Sequence, residues 1–234
     1  MVARRAAGVP LEQVVGWAEF AGRRVVVDPG VFVPRRRSEF LVEVAASLAD
    51  RPAGSVPRVV VDLCCGTGAL GLAVAVRLSG AGGRLEGVEL YAADLDPAAV
   101  ACARRNVEPV GGHVYGGDLF GALPDALRGR ADVLICNAPY VPTTEIAFMP
   151  AEARDHEALM ALDGGADGLA ILRRVAGEAG AWLAPGGVLV VETSERQAAA
   201  MAAVMSGAGL AARIHEHDEY GATVVTGVRP RDQD

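Results

Sequence analysis

The chain has 234 residues, which is enough for one large domain, so length alone does not demand a second. Apolar residues make up 51% of the chain and aromatic residues only 5%, so the core must be built mainly from Ala, Val and Leu, as in a parallel sheet covered by Ala-rich helices. The net charge of -7 disfavours nucleic acid as a partner. All 22 basic residues are Arg, which excludes lysine chemistry such as a Schiff base or a P-loop.

The chain shows no sign of export or membrane insertion. Its first residues lack the long apolar run of a signal peptide, and no apolar segment is long enough to span a bilayer. The four cysteines, Cys64, Cys65, Cys102 and Cys136, form no CxxC pair, which favours core thiols in a reducing compartment over a metal site or a disulfide. We therefore expect a cytoplasmic protein with no membrane partner and no metal.

Residues 1–37 are predicted to form an irregular segment, with extended pieces around a turn at Asp28-Pro29-Gly30. Ser38 resembles the N-cap of a helix that would run to Asp50. From Arg58 onward, strands and helices alternate. Further helices are predicted over 69–78, 97–107, 169–183 (ended by Pro185-Gly186-Gly187) and 194–207. Strands are predicted over 58–63, up to Asp94, near 113–118, and over 132–137, 187–193, 210–217 and 222–228.

This order predicts an α/β fold with helices on both faces of a mostly parallel, seven-stranded sheet. The last two predicted strands are separated only by residues 218–221, which is too short for a crossover, so they must pair antiparallel. Residues 141–167 are polar and irregular, and we expect them to form a loop over a site at the carboxyl edge of the sheet.

Two motifs predict an adenosine-containing cofactor. Asp62 ends the first buried strand, and the turn that follows contains Gly66 and Gly68, which let a ligand approach the backbone at a helix N-terminus. An ordinary glycine-rich turn is the alternative. Asp94 ends the next strand, where a carboxylate can accept the hydroxyls of a ribose. Its neighbour Asp96, which precedes Pro97, suits helix capping better.

Further candidates follow the third and fourth strands of the 58–137 region. Asp118 and Leu119 lie where such folds contact an adenine, with core packing as the alternative for Leu119. At the end of the next strand, the oxygen of Asn137 and the backbone carbonyl that follows can accept both hydrogens of one planar NH2 group, and a Tyr140 ring can stack on it. A strand-terminating Asn-x-Pro turn is the alternative. His215 and His217 lack a third metal ligand, and His156 fits a surface position.

At these residues the sequence resembles the HemK/PrmC family of protein-(glutamine-N5) methyltransferases, from about Gly8 to the C-terminus. The resemblance is carried by residues 8–35, by VDLCCGTGALGLAVA, ADLDPAAVACARRN and NAPYVP, and by the downstream ALDGGADGL and APGGVLVVET. It implies a class I, Rossmann-like, S-adenosylmethionine-dependent methyltransferase that releases S-adenosylhomocysteine. It also implies a protein partner with an exposed glutamine.

The resemblance further implies a division into a linker and β-hairpin segment, 1–37, and a catalytic domain, 38–234. The implied cofactor residues are Asp62, Cys64, Cys65, Gly66, Thr67, Gly68, Asp94, Asp118, Leu119 and Asn137. The implied catalytic residues are Asn137, Pro139 and Tyr140. The implied substrate-binding residues are Asn137, Ala138, Pro139, Tyr140, Arg35 and Glu39.

The sequence departs from the family pattern in four places. Cys64 stands where the family has the first Gly of its loop, Ala138 replaces the first Pro of the Asn-Pro-Pro-Tyr motif, and residues 36–38 (Arg-Arg-Ser) replace Pro-acidic-Thr. We expect the family's N-terminal helical domain, which engages release factors, to be missing, so a release factor is one candidate substrate among others. The alternatives are a small-molecule N-methyltransferase, an adenine N6 methyltransferase acting on nucleic acid, and an inactive cofactor-binding protein.

Overall fold

The computed structural model describes residues 1–49, 58–80 and 85–231. In these ranges the helices are α1 Val2–Ala6, α2 Leu11–Val15, α3 Glu39–Leu48, α4 Ala69–Ser79, α5 Pro97–Val107, α6 Ala151–His156, α7 Ala170–Trp182 and α8 Glu195–Gly207. The strands are β1 Trp17–Phe20, β2 Arg23–Val26, β3 Arg58–Leu63, β4 Val88–Asp94, β5 His113–Gly116, β6 Ala131–Cys136, β7 Leu183–Thr193, β8 Ala211–His217 and β9 Ala222–Val228.

The main sheet has seven strands in the order β5-β4-β3-β6-β7-β9-β8. Pairing is parallel from β5 to β7, whereas β9 runs antiparallel to both β7 and β8. The predicted sheet, with its antiparallel final strand, is confirmed. Leu63 pairs with both Ala93 and Cys136, so β3, β4 and β6 end side by side. The loops after these strands therefore meet at one edge, where open α/β sheets bind ligands.

The strands alternate between two hydrophobic cores. Val60 and Val133 belong to the core shared with α3, α4 and α5, whereas the next residues along each strand, Val61 and Leu134, belong to the core shared with α7 and α8. All four side chains are fully buried. A strand with both faces buried must be apolar throughout, which explains the continuous apolar runs.

The N-terminal segment contains the β-hairpin that the family resemblance implies, formed by β1 and β2. It also contains two short helices, α1 and α2, which the sequence did not predict. The hairpin reverses at Ala21-Gly22, both with positive φ, which a tight turn between twisted strands requires. A turn also closes at the predicted Asp28-Pro29-Gly30, where the Val31 N–H donates to the Asp28 carbonyl (3.2 Å).

One predicted helix boundary is confirmed and one is corrected. Helix α3 begins at Glu39 with Ser38 at its N-cap position, as predicted, but the Ser38 side chain makes no capping hydrogen bond, because residues 36–38 already form a 3-10 turn. The predicted end of this helix at Asp50 lies outside the described residues. Helix α7 ends at Trp182, and β7 begins at once, so Pro185-Gly186-Gly187 lies within the strand, next to a shift in its register with β6. The predicted cap of α8 is confirmed as a capping box between Ser194 and Gln197.

Candidate active site

A cavity of about 640 Å³ opens at the carboxyl ends of β3, β4 and β6. Its walls come from the loops after these strands, the segment 30–38 and the loop 141–167. Most of the predicted site residues line it: Arg35, Cys64, Cys65, Gly66, Thr67, Asp94, Asp118, Leu119, Asn137, Ala138, Pro139 and Tyr140. Three predicted residues, Glu39, Asp62 and Gly68, do not.

The loop 64–68 between β3 and α4 is shaped by positive φ angles. Cys64 (+54°), Gly66 (+55°) and Gly68 (+75°) all adopt the left-handed conformation. For Cys64 this costs on the order of 1–2 kcal/mol, which a glycine would avoid. A Cβ on Gly68 would lie 2.7 Å from Cγ2 of Val107, so this position needs a glycine for its packing against α5 as well as for its φ. Gly68 therefore supports the loop from behind.

Asp94 holds the same loop from the neighbouring strand. Its Oδ2 accepts the Gly66 N–H (2.8 Å) and its Oδ1 accepts the Asp96 N–H (2.9 Å). A carboxylate offers about four lone-pair sites, so each oxygen can still accept a ligand hydroxyl. Burial raises the pKa of Asp94, in spite of these hydrogen bonds. Asp96 caps α5 through the Ala98 N–H (2.8 Å), as predicted.

Asp62 lies beneath the loop. Its side chain is fully buried, and its Oδ2 accepts the Gly71 N–H (2.8 Å) in the first turn of α4. Oδ1 has no hydrogen-bond partner among the described residues. Burial, with a contribution from the charge of Asp94, raises the pKa of Asp62 to about 7. We predicted contact with the cofactor, but the structure gives Asp62 a supporting position behind the cavity wall.

Leu119 and Asp118 form the wall after β5. Leu119 is buried and, with a φ of +49°, is another non-glycine residue in the left-handed region. It packs in the α7–α8 core and also lines the cavity, so the packing and ligand interpretations of Leu119 are compatible. Asp118 forms an exposed ion pair with Arg174 (2.7 Å), which lines the cavity as well.

The loop Asn137–Tyr140 leaves β6 directly into the cavity. The amide nitrogen of Asn137 lies 3.5 Å from the Ser38 hydroxyl, so the amide oxygen is the group left to accept a hydrogen bond. Ala138 is almost fully buried. Together, the Asn137 oxygen and the Ala138 carbonyl provide two neighbouring acceptors on one loop.

Tyr140 is hydrogen bonded on both sides. Its hydroxyl donates to Oε1 of Glu192 (3.0 Å) and accepts from the guanidinium of Arg37. Burial and the charge of Glu192 raise the pKa of the Tyr140 hydroxyl well above its usual value, so the group stays protonated. Sequence reasoning missed Glu192, although a carboxylate at the end of the apolar run of β7 was a visible signal.

Arg35 and Glu39 have different positions. Nη2 of Arg35 lies 2.6 Å from each carboxylate oxygen of Glu157, whose Oε1 also accepts the Val33 N–H (3.2 Å). This buried contact joins the segment 30–38 to the loop 141–167. Glu39 accepts the Ala21 N–H (3.0 Å), so it braces the hairpin turn rather than the cavity. Glu157, in a polar loop, gave no recognisable signal in the sequence.

The loop 141–167 covers the cavity, as predicted, but it contains α6 and two 3-10 turns. Met149, Leu159 and Met160 line the cavity from this loop. Three cavity-lining apolar side chains are exposed to solvent: Leu95 is 56%, Leu159 is 62% and Met160 is 47% exposed. Phe148, which is 87% exposed, directly precedes the cavity-lining Met149. We call Leu95, Phe148, Leu159 and Met160 the apolar rim.

The other candidate ligands lie elsewhere. His215 contacts Thr226 on the edge of the sheet, and His217 packs against Phe40 and Tyr220. Within the described ranges no group of three or more His, Cys, Asp or Glu side chains could hold a metal ion, and the four cysteines have free thiols. No helix in the described part of the chain is both long and apolar enough to cross a bilayer.

Comparison with known proteins assigns a family. Residues 22–165 match the methyltransferase small domain. Release factor glutamine methyltransferases of Streptomyces coelicolor and Geobacter sulfurreducens are 39% and 36% identical, over 84% and 98% of this chain and 67% and 76% of their own. A 4-amino-L-phenylalanine/4-methylamino-L-phenylalanine methyltransferase of Streptomyces pristinaespiralis is 35% identical, over 89% of this chain and 69% of its own.

The fold also matches solved structures. A methyltransferase from Pyrococcus furiosus aligns with a TM-score of 0.64 at 15% identity, covering 97% of this chain and 99% of its own. At this identity the match describes the fold alone.

Proposed function

This chain belongs to the HemK/PrmC family of S-adenosylmethionine-dependent methyltransferases, and from that premise we propose that its acceptor is the side-chain amide nitrogen of a glutamine in a protein. The first acceptor to test is a peptide release factor, because the names of several relatives specify it. One observation carries the proposal: the loop Asn137–Tyr140 opens into the same cavity as the loop 64–68 and Asp94.

The residues of the cavity fit an adenosyl cofactor. Cys64 to Thr67 line the cavity, and Gly66 places no side chain in the way. In this proposal Asp94 accepts the ribose hydroxyls, Leu119 packs against the adenine, and Asp118 lies at the edge of that subsite. The bound cofactor supplies a methyl group on a positively charged sulfur. The cavity volume, about 640 Å³, lies within the usual range for ligand sites.

The loop Asn137–Tyr140 supplies what an amide acceptor needs. An amide nitrogen is a weak nucleophile, because its lone pair is delocalised into the carbonyl. When the Asn137 oxygen and the Ala138 carbonyl accept its two N–H groups, electron density returns to the nitrogen and its direction is fixed. Donors and acceptors that are oriented before the reaction stabilise the developing charge without reorganisation. Pro139 and Tyr140 would shape the pocket around the amide plane.

The apolar rim favours a macromolecular acceptor. Leu95, Leu159 and Met160 line the cavity and are exposed, and Phe148, which is 87% exposed, directly precedes the cavity-lining Met149. Apolar patches of this kind mark surfaces that another molecule covers. A protein segment that inserts a glutamine would contact this rim, whereas a small molecule inside the cavity would leave it exposed.

The second candidate is N-methylation of a small aromatic amine. The similarity to the 4-amino-L-phenylalanine methyltransferase favours it, because that relative matches 89% of the chain, between the 84% and 98% matched by the two release factor methyltransferases. Both acceptors present a planar or nearly planar NH2 group to the same two oxygens. Nucleic acid is a weaker candidate, because the net charge of -7 opposes contact with phosphates.

The proposal also divides the chain into two parts. Residues 38–234 would form the catalytic domain, and residues 1–37 would form a segment that completes its entrance. Phe20 and Val25 of the hairpin are buried in the same core as α3 and α4, which supports a fixed position for this segment.

The test is a transfer assay with radiolabelled S-adenosylmethionine, using a release factor, 4-amino-L-phenylalanine and nucleic acid as separate acceptors. Label on a release factor, mapped to a glutamine side chain and absent with Asn137→Ala, would support the proposal. Label only in 4-amino-L-phenylalanine would establish the second candidate instead. Label only in nucleic acid would leave the methyltransferase activity intact and reject both amide and arylamine acceptors.

A further inference from the structure

The segment Arg37-Ser38 touches both ends of the loop Asn137–Tyr140. At one end the Ser38 hydroxyl lies 3.5 Å from the Asn137 amide nitrogen. At the other end Arg37 donates through Nη2 to the Tyr140 hydroxyl, and its guanidinium carbon lies 5.8 Å from the centre of the Tyr140 ring. Two adjacent residues therefore hold a loop that lies about 100 positions further along the chain.

Arg37 also pairs with the carboxylate that accepts the Tyr140 hydroxyl. Its Nε donates to Oε1 of Glu192 at 2.9 Å, and Tyr140 donates to the same oxygen at 3.0 Å. The Glu192 side chain is only 2% exposed, and its Oε2 has no hydrogen-bond partner among the described residues. Because Oε2 is unpaired, the buried charge of Glu192 is stabilised mainly through the two partners of Oε1. Loss of Arg37 would therefore leave the negative charge of Glu192 poorly compensated.

The three side chains form a closed triangle of hydrogen bonds. Each pair among Arg37, Tyr140 and Glu192 is in contact, so the direction of the Tyr140 ring is set from two sides. Arg37 lies at the cavity wall with 45% of its side chain exposed, whereas Glu192 lies behind it. Arg37 and Tyr140 both line the cavity, and Arg37 is the more exposed of the two.

We propose that Arg37 is a positioning residue for methyl transfer, which holds Tyr140 in place together with Glu192 and so fixes the acceptor end of the cavity. This rests on the proposed role of the loop Asn137–Tyr140 in binding the acceptor amide. Arg37 acts through Tyr140: among the described residues its side chain donates to Tyr140 and Glu192 and makes no hydrogen bond to the loop 64–68 or to Asp94, so we expect cofactor affinity to be independent of it.

The kinetic test compares Arg37→Ala, Arg37→Lys, Tyr140→Phe and the double variant R37A/Y140F, with a release factor as acceptor. We expect Arg37→Ala to lower kcat at least tenfold while the affinity for S-adenosylhomocysteine, measured by calorimetry, changes less than twofold. Arg37→Lys keeps the charge beside Glu192 and is expected to recover part of kcat. The kcat of the double variant is expected to be no lower than that of the slower single variant, because both changes remove the same contact between Arg37 and Tyr140.

Arg36→Ala is the matched control, since it removes the same charge from the adjacent, exposed position. A wild-type kcat in Arg37→Ala, an equal loss in Arg36→Ala, or independent effects of R37A and Y140F that multiply in the double variant would each overturn the proposal. A parallel loss of S-adenosylhomocysteine binding in Arg37→Ala would also overturn it, because the residue would then support the whole cavity.

A second measurement does not depend on the acceptor. The chain has four tyrosines, so NMR with 13C-labelled tyrosine can follow Tyr140, identified by its absence in Tyr140→Phe. We expect Arg37→Ala to shift or broaden the Tyr140 resonance while those of Tyr91 and Tyr115 stay in place. An unchanged Tyr140 resonance would overturn the positioning role. If the wild-type chain methylates no release factor, the proposed acceptor fails, and this spectrum still decides the role of Arg37.

Discussion

The cofactor side of the cavity, residues 64–68 with Asp94, is built mainly from backbone, whereas its acceptor side, residues 137–140, is held by side chains from distant segments. On the cofactor side, positive φ angles and the backbone N–H of Gly66 set the shape. On the acceptor side, Arg37 and Ser38 reach the loop from the 3-10 turn before α3, and Glu192 reaches it from β7.

Because of this difference, substitutions on the cofactor side and on the acceptor side of the cavity should have different effects. A backbone site depends on which residues can adopt its conformation, so substitutions there act on folding and on cofactor affinity together. A site held by remote side chains can lose one contact and keep its fold, so substitutions there act on turnover. Four changes can break or sharpen this contrast.

The largest effect is expected from Asn137→Ala, which removes one of the two acceptors for the amide N–H groups. Loss of one oriented hydrogen-bonding group in a catalytic site typically costs about 10²–10³ in kcat. We expect a fall of this order with the affinity for S-adenosylhomocysteine within about twofold, measured by single-turnover transfer and by calorimetry. Equal losses in turnover and in affinity would place Asn137 on the cofactor side and contradict the contrast.

The next largest effect is expected from Gly68→Ala, on the free energy of unfolding. The new Cβ would lie 2.7 Å from Cγ2 of Val107, and the φ of +75° disfavours any side chain. We expect a loss of about 2–3 kcal/mol in the free energy of unfolding, measured by chemical denaturation, from strain and overpacking together. Gly80→Ala is the matched control, because Gly80 ends the same helix with φ +73° and has open space around it. Equal losses in both variants would show that the φ angle alone matters.

The sequence predicted the cofactor side better than the acceptor side for the same physical reason. Gly66, Gly68 and Asp94 occur in short segments where spacing along the chain fixes the geometry, and the strand and helix around them follow from hydrophobic patterns. Glu192 and Glu157 act through contacts with Arg37 and Arg35, more than 120 residues away in sequence. Such pairs appear only once the sheet order is known.

For two residues the structure shows a contact that the sequence did not predict. Asp62, predicted to contact the cofactor, is buried and accepts the Gly71 N–H, because a strand residue next to a helix start can satisfy that helix. Ser38 occupies the predicted N-cap position of α3, but the 3-10 turn leaves its hydroxyl for Asn137. Spacing along the sequence cannot show which hydrogen bond the side chain of Asp62 or of Ser38 makes.

Asp62 also makes the cofactor side sensitive to pH. Its pKa is raised to about 7 by burial, so between pH 5 and 7 the folded chain holds a proton that the unfolded chain, with a carboxyl pKa near 4, has released. The free energy of unfolding then falls as pH rises, by about 1 kcal/mol per pH unit in this window. We expect this slope to be lost in Asp62→Asn, in denaturation curves at pH 5, 6 and 7.

Asp167→Asn is the control for that slope. The pKa of Asp167 is lowered to about 2 by its hydrogen bond with Arg173, so both its folded and unfolded forms are ionised above pH 5. This variant is therefore expected to keep the wild-type slope. A wild-type slope in Asp62→Asn as well would assign the pH dependence to other groups.

The smallest expected effect belongs to Phe148→Ala, and it tests what the acceptor side receives. Phe148 is 87% exposed, so its removal should leave the free energy of unfolding and the cofactor affinity unchanged. If a protein acceptor covers the apolar rim, KM for a release factor should rise about fivefold, which corresponds to about 1 kcal/mol of lost contact. Ile214→Ala, at an exposed apolar position on the edge strand β8, should leave KM unchanged. An unchanged KM in Phe148→Ala would mean that the acceptor enters the cavity without touching the rim, as a small aromatic amine would.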